Sequence, residues 1–282
     1  VESKLLTGSP QKRLLNLTVI TVTYNCARSI RVCLDSVAQQ SYPNRKHVVV
    51  DGASTDGTLG ILQSHRAQIE TLLSEPDHGI YDALNKGIAN ATGEVIGLLH
   101  ADDLYASDQV LATVAAVFEN PNVQAVYGDL QYVSRVDVSR VIRHWRAGEF
   151  SQAKLARGWM PPHPTLFLRR GVYDKLAGSP RRALGAPRGD AFFNTRYRIA
   201  ADYDFMLRVL GGLKLDQVVY LPEVLVKMRV GGASNRSLKA IIRKSAEDYR
   251  ILRANGFSIC GAAGALAWKN LSKVGQFFHN AS

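Results

Sequence analysis

Leu17-Thr-Val-Ile-Thr-Val-Thr-Tyr24 and, further along, His47-Val-Val-Val-Asp51 decide the fold class. Both runs are β-branched and apolar, with too little alternation for a strand wetted on one face; that is the pattern of strands covered on both sides in a parallel sheet. Between them, Ser29 to Gln40 carries Ile30, Val32, Cys33, Leu34 and Val37 near helical spacing and closes at the Tyr42-Pro43-Asn44 turn. The alternation continues outward. Beyond the polar loop 52–57, the pattern predicts a helix over 58–67, a strand over 72–75, a helix over 79–91, a strand over 94–100, a helix over 107–119 and a return to the sheet at 123–127. Repeated strand-helix units specify a doubly wound α/β sheet flanked by helices. Such sheets bind ligands outside the carboxyl ends of their strands, and Asn25, Asp51, Glu75 to Asp77 and Asp102 all fall there.

After about Gly128 the alternation fades. Residues 140–145 read as an edge strand, Pro161-Pro-His-Pro164 as a rigid loop leading into 165–169, and 178–189 as a mobile loop. Helices are expected over 201–210 and 238–253.

The chain has 282 residues, 46% apolar and 21% charged, enough to bury a core without disulfide or metal staples, and this excludes disordered and collagen-like classes. No apolar run reaches the roughly 20 residues of a bilayer span. Residues 1–16 read as an extension outside the fold, without a signal-peptide core. Cys26, Cys33 and Cys260 have no zinc-binding spacing and point to a reduced, cytoplasmic setting. The net charge of +11 is uneven: residues 226–282 hold ten Lys/Arg against two acids. A basic segment of that kind points to an anionic partner such as phospholipid headgroups. No aromatic-basic recognition motif accompanies it, so nucleic acid is not an expected partner.

The chemistry-bearing runs follow the strands. His100-Ala-Asp-Asp103 puts tandem acids at the mouth of a buried strand, where uncompensated charge is costly. They either hold a divalent cation or serve as a cap (Asp103) and a salt-bridge partner (Asp102). Asp51 suits a ligand hydroxyl or N–H, whereas Asp56 reads as a helix cap. In Glu75-Pro-Asp-His-Gly-Ile-Tyr-Asp-Ala-Leu-Asn-Lys-Gly87, Asp77 suits an N-cap and Asp82 with Lys86 an i,i+4 pair, which leaves His78, Tyr81 and Asn85 unexplained.

Taken in order, Thr21-Val-Thr-Tyr-Asn25, Asp51-Gly-Ala-Ser-Thr-Asp-Gly-Thr58, the 75–87 run, Ala91-Thr-Gly-Glu94 and Leu98-Leu-His-Ala-Asp-Asp103 resemble the family 2 glycosyltransferases. The resemblance spans roughly 17–232, and within the family it is nearest to bacterial enzymes of O-antigen, colanic acid and exopolysaccharide synthesis. It implies a GT-A fold over 17–232, a Rossmann-like nucleotide-binding sheet followed by a basic helical segment over 233–282. It also implies a nucleotide-sugar donor, UDP-linked by expectation, inversion at the anomeric carbon, and Mn²⁺ or Mg²⁺. Carried onto this sequence, Thr23, Tyr24 and Asn25 line the nucleotide site, Asp51 holds the base, and Asp77, Tyr81 and Lys86 face ribose or sugar. Asp102 takes the last position of the Asp-x-Asp motif and binds metal and diphosphate; His100 stands at its first position, so Asp103 and His100 are the further metal candidates.

Ile199-Ala-Ala-Asp-Tyr-Asp-Phe205 resembles the family's catalytic-base segment, with Asp202 as base and Asp204 as its rival. His163 and Arg229 are candidates for contact with acceptor or diphosphate, and Gly231-Gly232 for a closing loop. The resemblance further implies a saccharide acceptor on a polyprenyl diphosphate lipid and peripheral attachment at the cytoplasmic face of the inner membrane. Two other readings are a sugar-nucleotide-forming nucleotidyltransferase, which lacks its basic Gly-rich loop here, and a non-catalytic nucleotide-sugar- or membrane-binding module.

Overall fold

The computed structural model describes residues 13–178, 192–231 and 238–278. The first half is the expected βα alternation. β1 (Leu17–Thr23) leads to α1 (Ile30–Ala38), β2 (Arg45–Asp51) to α2 (Thr58–Ser64), β3 (Thr71–Ser74) to α3 (Ile80–Asn90), and then to β4 (Val95–Leu98). These strands run parallel in the order β3-β2-β1-β4, with Thr23 opposite Asp51 and Asp51 opposite Ser74. All seven residues of β1 are buried, as a strand with helices on both faces requires. Because successive side chains point to opposite faces, Ile20 and Val22 join the core beneath α3 while Leu17 and Val19 join the core beneath α1. α3 lies so close to β1 that a methyl group on Gly87 would strike Ile20.

The second half departs from the parallel expectation. It contains β5 (Asp103–Tyr105), α4 (Val110–Val117), β6 (Ala125–Val133), β7 (Val141–Trp145), α5 (Gln152–Ala156), β8 (Phe167–Arg169), α6 (Arg170–Gly178), α7 (Ala201–Gly211), β9 (Val218–Arg229), α8 (Leu238–Ala254) and α9 (Ile259–Phe278). The sheet continues β4-β8-β6-β9-β5, with β8 antiparallel to both β4 and β6 and β5 antiparallel to β9, and β7 pairs with β6 as an edge strand. β8 is only three residues long and arrives from the turn at His163–Thr165, so no crossover helix sets it parallel to β4. The sequence reading lacks β5, α5, α6 and β9, the last a twelve-residue strand parallel to β6 whose apolar run is interrupted by Pro222 and Glu223. The ladder shifts register around Gly128 to Leu130, opposite that interruption.

The basic segment is part of this body. Ile251 and Leu252 of α8 and Ala262 and Ala265 of α9 are buried in the same core as α3 and α7. The fully buried Asp248 carboxylate receives Lys244 at 3.1 Å and Lys269 at 3.0 Å, and the Lys269 ammonium lies 3.3 Å from the centre of the Tyr203 ring. The loop expected over 178–189, together with Gly232 and Arg236, lies almost wholly outside the described residues. Among those residues no helix is long and apolar enough to cross a membrane.

Candidate active site

Three groups of side chains meet beyond the carboxyl ends of the strands. The first is built on the loops after β1 and β2. Asp51 is fully buried and accepts the Ser54 N–H at 3.1 Å, the Ser54 hydroxyl and the Ser74 hydroxyl at 2.8 Å. Asn25 and Ala53 both adopt left-handed backbone, with φ of 52° and 60°, which is costly for residues bearing a Cβ. The loops hold that geometry by bonding to each other. The Asn25 amide oxygen accepts the Thr55 N–H at 2.9 Å, the Asn25 N–H reaches Ser54 Oγ at 2.8 Å, and the Cys26 N–H reaches Thr58 Oγ1 at 2.9 Å. Asp56 behaves as a cap, accepting the Thr58 N–H at the start of α2 and the Ala27 N–H.

Asp77 approaches from the third strand. One of its oxygens accepts the Gly79 N–H at 2.8 Å, and the other stands 2.5 Å from where a Cβ on Gly52 would lie, so a side chain there would have to displace the Asp77 carboxylate. Tyr24, 61% exposed, borders the same spot. The Thr23 hydroxyl is buried and has no partner among the described residues, so it remains available to a ligand. Lys86 is engaged within its own turn. It donates to Glu75 at 2.8 Å and to the Pro76 carbonyl at 3.0 Å, and these contacts hold its pKa above the usual value, the Glu75 hydrogen bond first.

The second group surrounds Asp102, which is half-buried, and the Arg229 guanidinium from β9 donates to its carbonyl at 2.6 Å. Asp103, the further metal candidate beside it, lies in the interior. It is 1% exposed in β5, neither carboxylate oxygen has a hydrogen-bond partner among the described residues, and burial, with the Asp102 charge second, pushes its pKa well above its usual value. Asp103 opens β5, whereas Asp102 lies in the turn before it. The His100 imidazole, by contrast, keeps an unpartnered buried Nδ1, and burial lowers its pKa. Among the described residues no three His, Cys, Asp or Glu side chains form a metal cluster. Asp102 and His100 therefore fit a divalent cation only as a partial ligand set completed by substrate oxygens and water.

The third group comes from α3, the 163 turn and α7. The Tyr81 hydroxyl donates to the Ile199 carbonyl at 2.8 Å and lies 3.3 Å from Asp202 Oδ1, which also accepts the Tyr203 N–H at 2.9 Å. Oδ2 of Asp202 accepts nothing from the described residues. His163 is buried against Phe193 and Phe205, its ring 6.1 Å from that of His100 and its Nε2 unpartnered. Burial lowers its pKa to about 4, against the opposing pull of Asp202. Asp204, the rival base, is buried and committed, accepting Arg208 Nε at 2.9 Å and Asn255 Nδ2 at 3.1 Å.

Two residues that sequence reasoning left unassigned build this third group. Asn85 exchanges two hydrogen bonds with the Phe193 backbone, at 2.9 and 2.8 Å, tying α3 to the segment before α7. Glu247 of α8, 6% exposed, accepts the N–H groups of Arg198, Ile199 and Ala200. Its only sequence signal is an acid in a basic helix.

Residues 18–176, more than half of the chain, match the family described as Glycosyl transferase family 2. The chain belongs to glycosyltransferase family 2. A PGL/p-HBAD biosynthesis glycosyltransferase of Mycobacterium tuberculosis is 32% identical over 195 residues, covering 68% of each protein. The chondroitin synthase of Pasteurella multocida is 26% identical over 196 residues, which is 68% of this glycosyltransferase and 18% of the synthase. Among solved structures, S. aureus TarS in complex with UDP-GlcNAc superposes with a TM-score of 0.64 at 16% identity, over 95% of this chain and 76% of that one. The Pyrobaculum calidifontis mannosyltransferase in complex with GDP-Man and Mn²⁺ gives 0.56 at 22% identity, over 94% and 80%. The mixed sheet flanked by helices is thus the GT-A fold of these glycosyltransferases.

Proposed function

We propose that this glycosyltransferase transfers a sugar from a UDP-sugar to a saccharide hydroxyl with inversion at the anomeric carbon. The observation that carries this reading is the convergence of Asp102, Asp202 and His163. The His100 and His163 rings lie 6.1 Å apart, Asp102 follows His100 by two residues, and the Tyr81 hydroxyl lies 3.3 Å from Asp202 Oδ1.

Each group has a task in a single displacement. The paired loops that immobilise Asp51 present it, Thr23 and Tyr24 to the nucleotide, and Asp77 faces the ribose or sugar across Gly52. Asp202, with Oδ2 unoccupied, takes the proton from the acceptor hydroxyl as that oxygen attacks the anomeric carbon. Asp204 is not the base in this reading, since Arg208 and Asn255 hold its carboxylate. His163, neutral near pH 7, offers its ring nitrogen to an acceptor hydroxyl or a diphosphate oxygen. A Mn²⁺ or Mg²⁺ held by Asp102 and His100 would supply positive charge to the departing diphosphate. The Arg229 hydrogen bond to the Asp102 carbonyl keeps that loop in place, an indirect role in handling the diphosphate.

The names of the mycobacterial relative and of the chondroitin synthase support an acceptor in glycolipid or surface-polysaccharide synthesis, proposed here as lipid-linked. Peripheral attachment to an anionic cytoplasmic membrane face is supported by the exposed Arg243, Arg250 and Arg253 of α8 and by Trp268, 55% exposed on α9. Sedimentation with vesicles of anionic lipid, compared with phosphatidylcholine alone, tests it; equal sedimentation with both removes the membrane from the proposal.

The decisive experiment is binding and turnover over a panel of UDP-, GDP- and dTDP-sugars with and without Mn²⁺. Asp202→Asn is expected to lower turnover by about 10²-fold or more while leaving UDP-sugar affinity within a few-fold. Asp102→Ala is expected to abolish the metal-dependent part of binding. A chain that binds a nucleotide sugar without turning it over is instead the non-catalytic module.

A further inference from the structure

Residues 198–200, which deliver Asp202 to the site, are held from both sides by residues far away in the sequence. The Tyr81 hydroxyl donates to the Ile199 carbonyl at 2.8 Å. On the other side the Glu247 carboxylate accepts three successive N–H groups, with Arg198 at 3.2 Å on Oε1 and Ile199 at 2.9 Å and Ala200 at 3.0 Å on Oε2. These N–H groups precede α7, whose first turn has no side-chain cap of its own. A buried carboxylate beside a helix N-terminus meets both the unsatisfied donors and the positive end of the helix dipole. Glu247 is itself anchored: Ile251, one turn further along α8, is fully buried, and the adjacent Asp248 is held by Lys244 and Lys269.

We infer that Glu247 is the positioning residue of the catalytic base: a carboxylate supplied by the basic C-terminal segment that sets where Asp202 stands. The inference rests on Asp202 being that base. The Tyr81 hydroxyl, which also lies 3.3 Å from Asp202 Oδ1, holds only the carbonyl edge of the 199–200 peptide. Glu247 takes the Ala200 N–H on the opposite edge of that same peptide, together with the two N–H groups before it, so the 199–200 peptide is held at both edges and with it the direction in which the backbone enters Asp202. A displacement near 1 Å at a reacting group costs about 10²-fold in rate.

The test compares wild type, Glu247→Gln, Glu247→Asp and Asp202→Asn. It uses UDP titration for nucleotide affinity, UDP release from the UDP-sugar turned over fastest in the donor panel, and amide hydrogen exchange across 196–204. Glu247→Gln keeps the shape but offers one acceptor oxygen in place of two. It is expected to lower kcat about 10- to 100-fold, leave UDP affinity and donor KM within about two-fold, and speed exchange at 198–200 well beyond the rest of the chain. Glu247→Asp, which retains a carboxylate, is expected to recover part of both losses. Unchanged kcat and unchanged exchange in Glu247→Gln overturn the inference, as does a loss of UDP affinity equal to the loss of kcat, the signature of general unfolding. If Glu247→Gln does not fold, the Glu247→Asp exchange and kcat values decide on the same criteria. Wild-type turnover in Asp202→Asn would instead remove the base assignment on which the inference depends.

Discussion

At the scale of single residues, the site is a set of polar atoms that the fold leaves without partners beside others that it binds completely. Thr23 Oγ1, His100 Nδ1 and His163 Nε2 are buried and have no partner among the described residues, whereas Asp51, Asp204 and Lys86 are engaged by their neighbours. Gly52 belongs to this scale. In Gly52→Ala the methyl would meet Asp77 Oδ2 at 2.5 Å, and UDP affinity is expected to fall about ten-fold with little change in melting temperature. Isothermal titration with UDP and a thermal melt check it. The buried histidines predict a pH dependence of stability. Burial lowers His47 to about 3 and His163 to about 4, both below the roughly 6.5 of an unfolded chain. The unfolded state therefore binds protons first, so their contribution is complete above pH about 6.5 and is lost as pH falls toward 4 and then 3. Urea melts between pH 4 and 7 are expected to show the loss, reduced in His47→Gln. A profile unchanged by that substitution removes His47 from the account.

At the scale of elements, βα alternation places helices on the parallel half of the sheet, and one contact there is tight enough to predict. Gly87→Ala would drive a methyl into Ile20 at the α3–β1 contact and is expected to cost about 1–3 kcal/mol. Gly60→Ala in α2, where nothing lies within 4 Å of the new methyl, is expected to stabilise by up to about 1 kcal/mol. Denaturant melts of the two variants separate the effect of packing from that of helix propensity. The elements from β1 to β4, and α4 after them, were legible because strand and helix periods alternate cleanly and each turn carries Gly, Pro or Asn; the three-residue β5 between them was not. β9 was not, because Pro222 and Glu223 break its apolar run and its partner β6 precedes it by about ninety residues. Long-range pairing of that kind leaves no local period to read.

At the scale of the whole molecule, the basic segment and the catalytic body are one folded unit, because α8 and α9 complete the core against α7. Ending the chain at residue 237 would uncover the apolar contacts made by Ile251, Leu252, Ala262 and Ala265. The product is expected to aggregate or to lack turnover. A soluble, fully active 1–237 fragment, measured by gel filtration and UDP release, would show the segment to be dispensable. The sequence by itself determined the parallel donor half, the order of its motifs, and the family resemblance that named Asp51, Asp102 and Asp202. These rest on local periodicity and on residues near one another in the chain. Only the tertiary structure decided that Asp103 turns inward while Asp102 stays at the site, that Asp204 is bound by Arg208 and Asn255, and that Glu247 reaches residues 198–200. The reason is physical: whether a carboxylate is a ligand, a buried neutral group or a clamp depends on which partners surround it. Those partners come from strands and helices tens of residues away, brought together by burial of a common core.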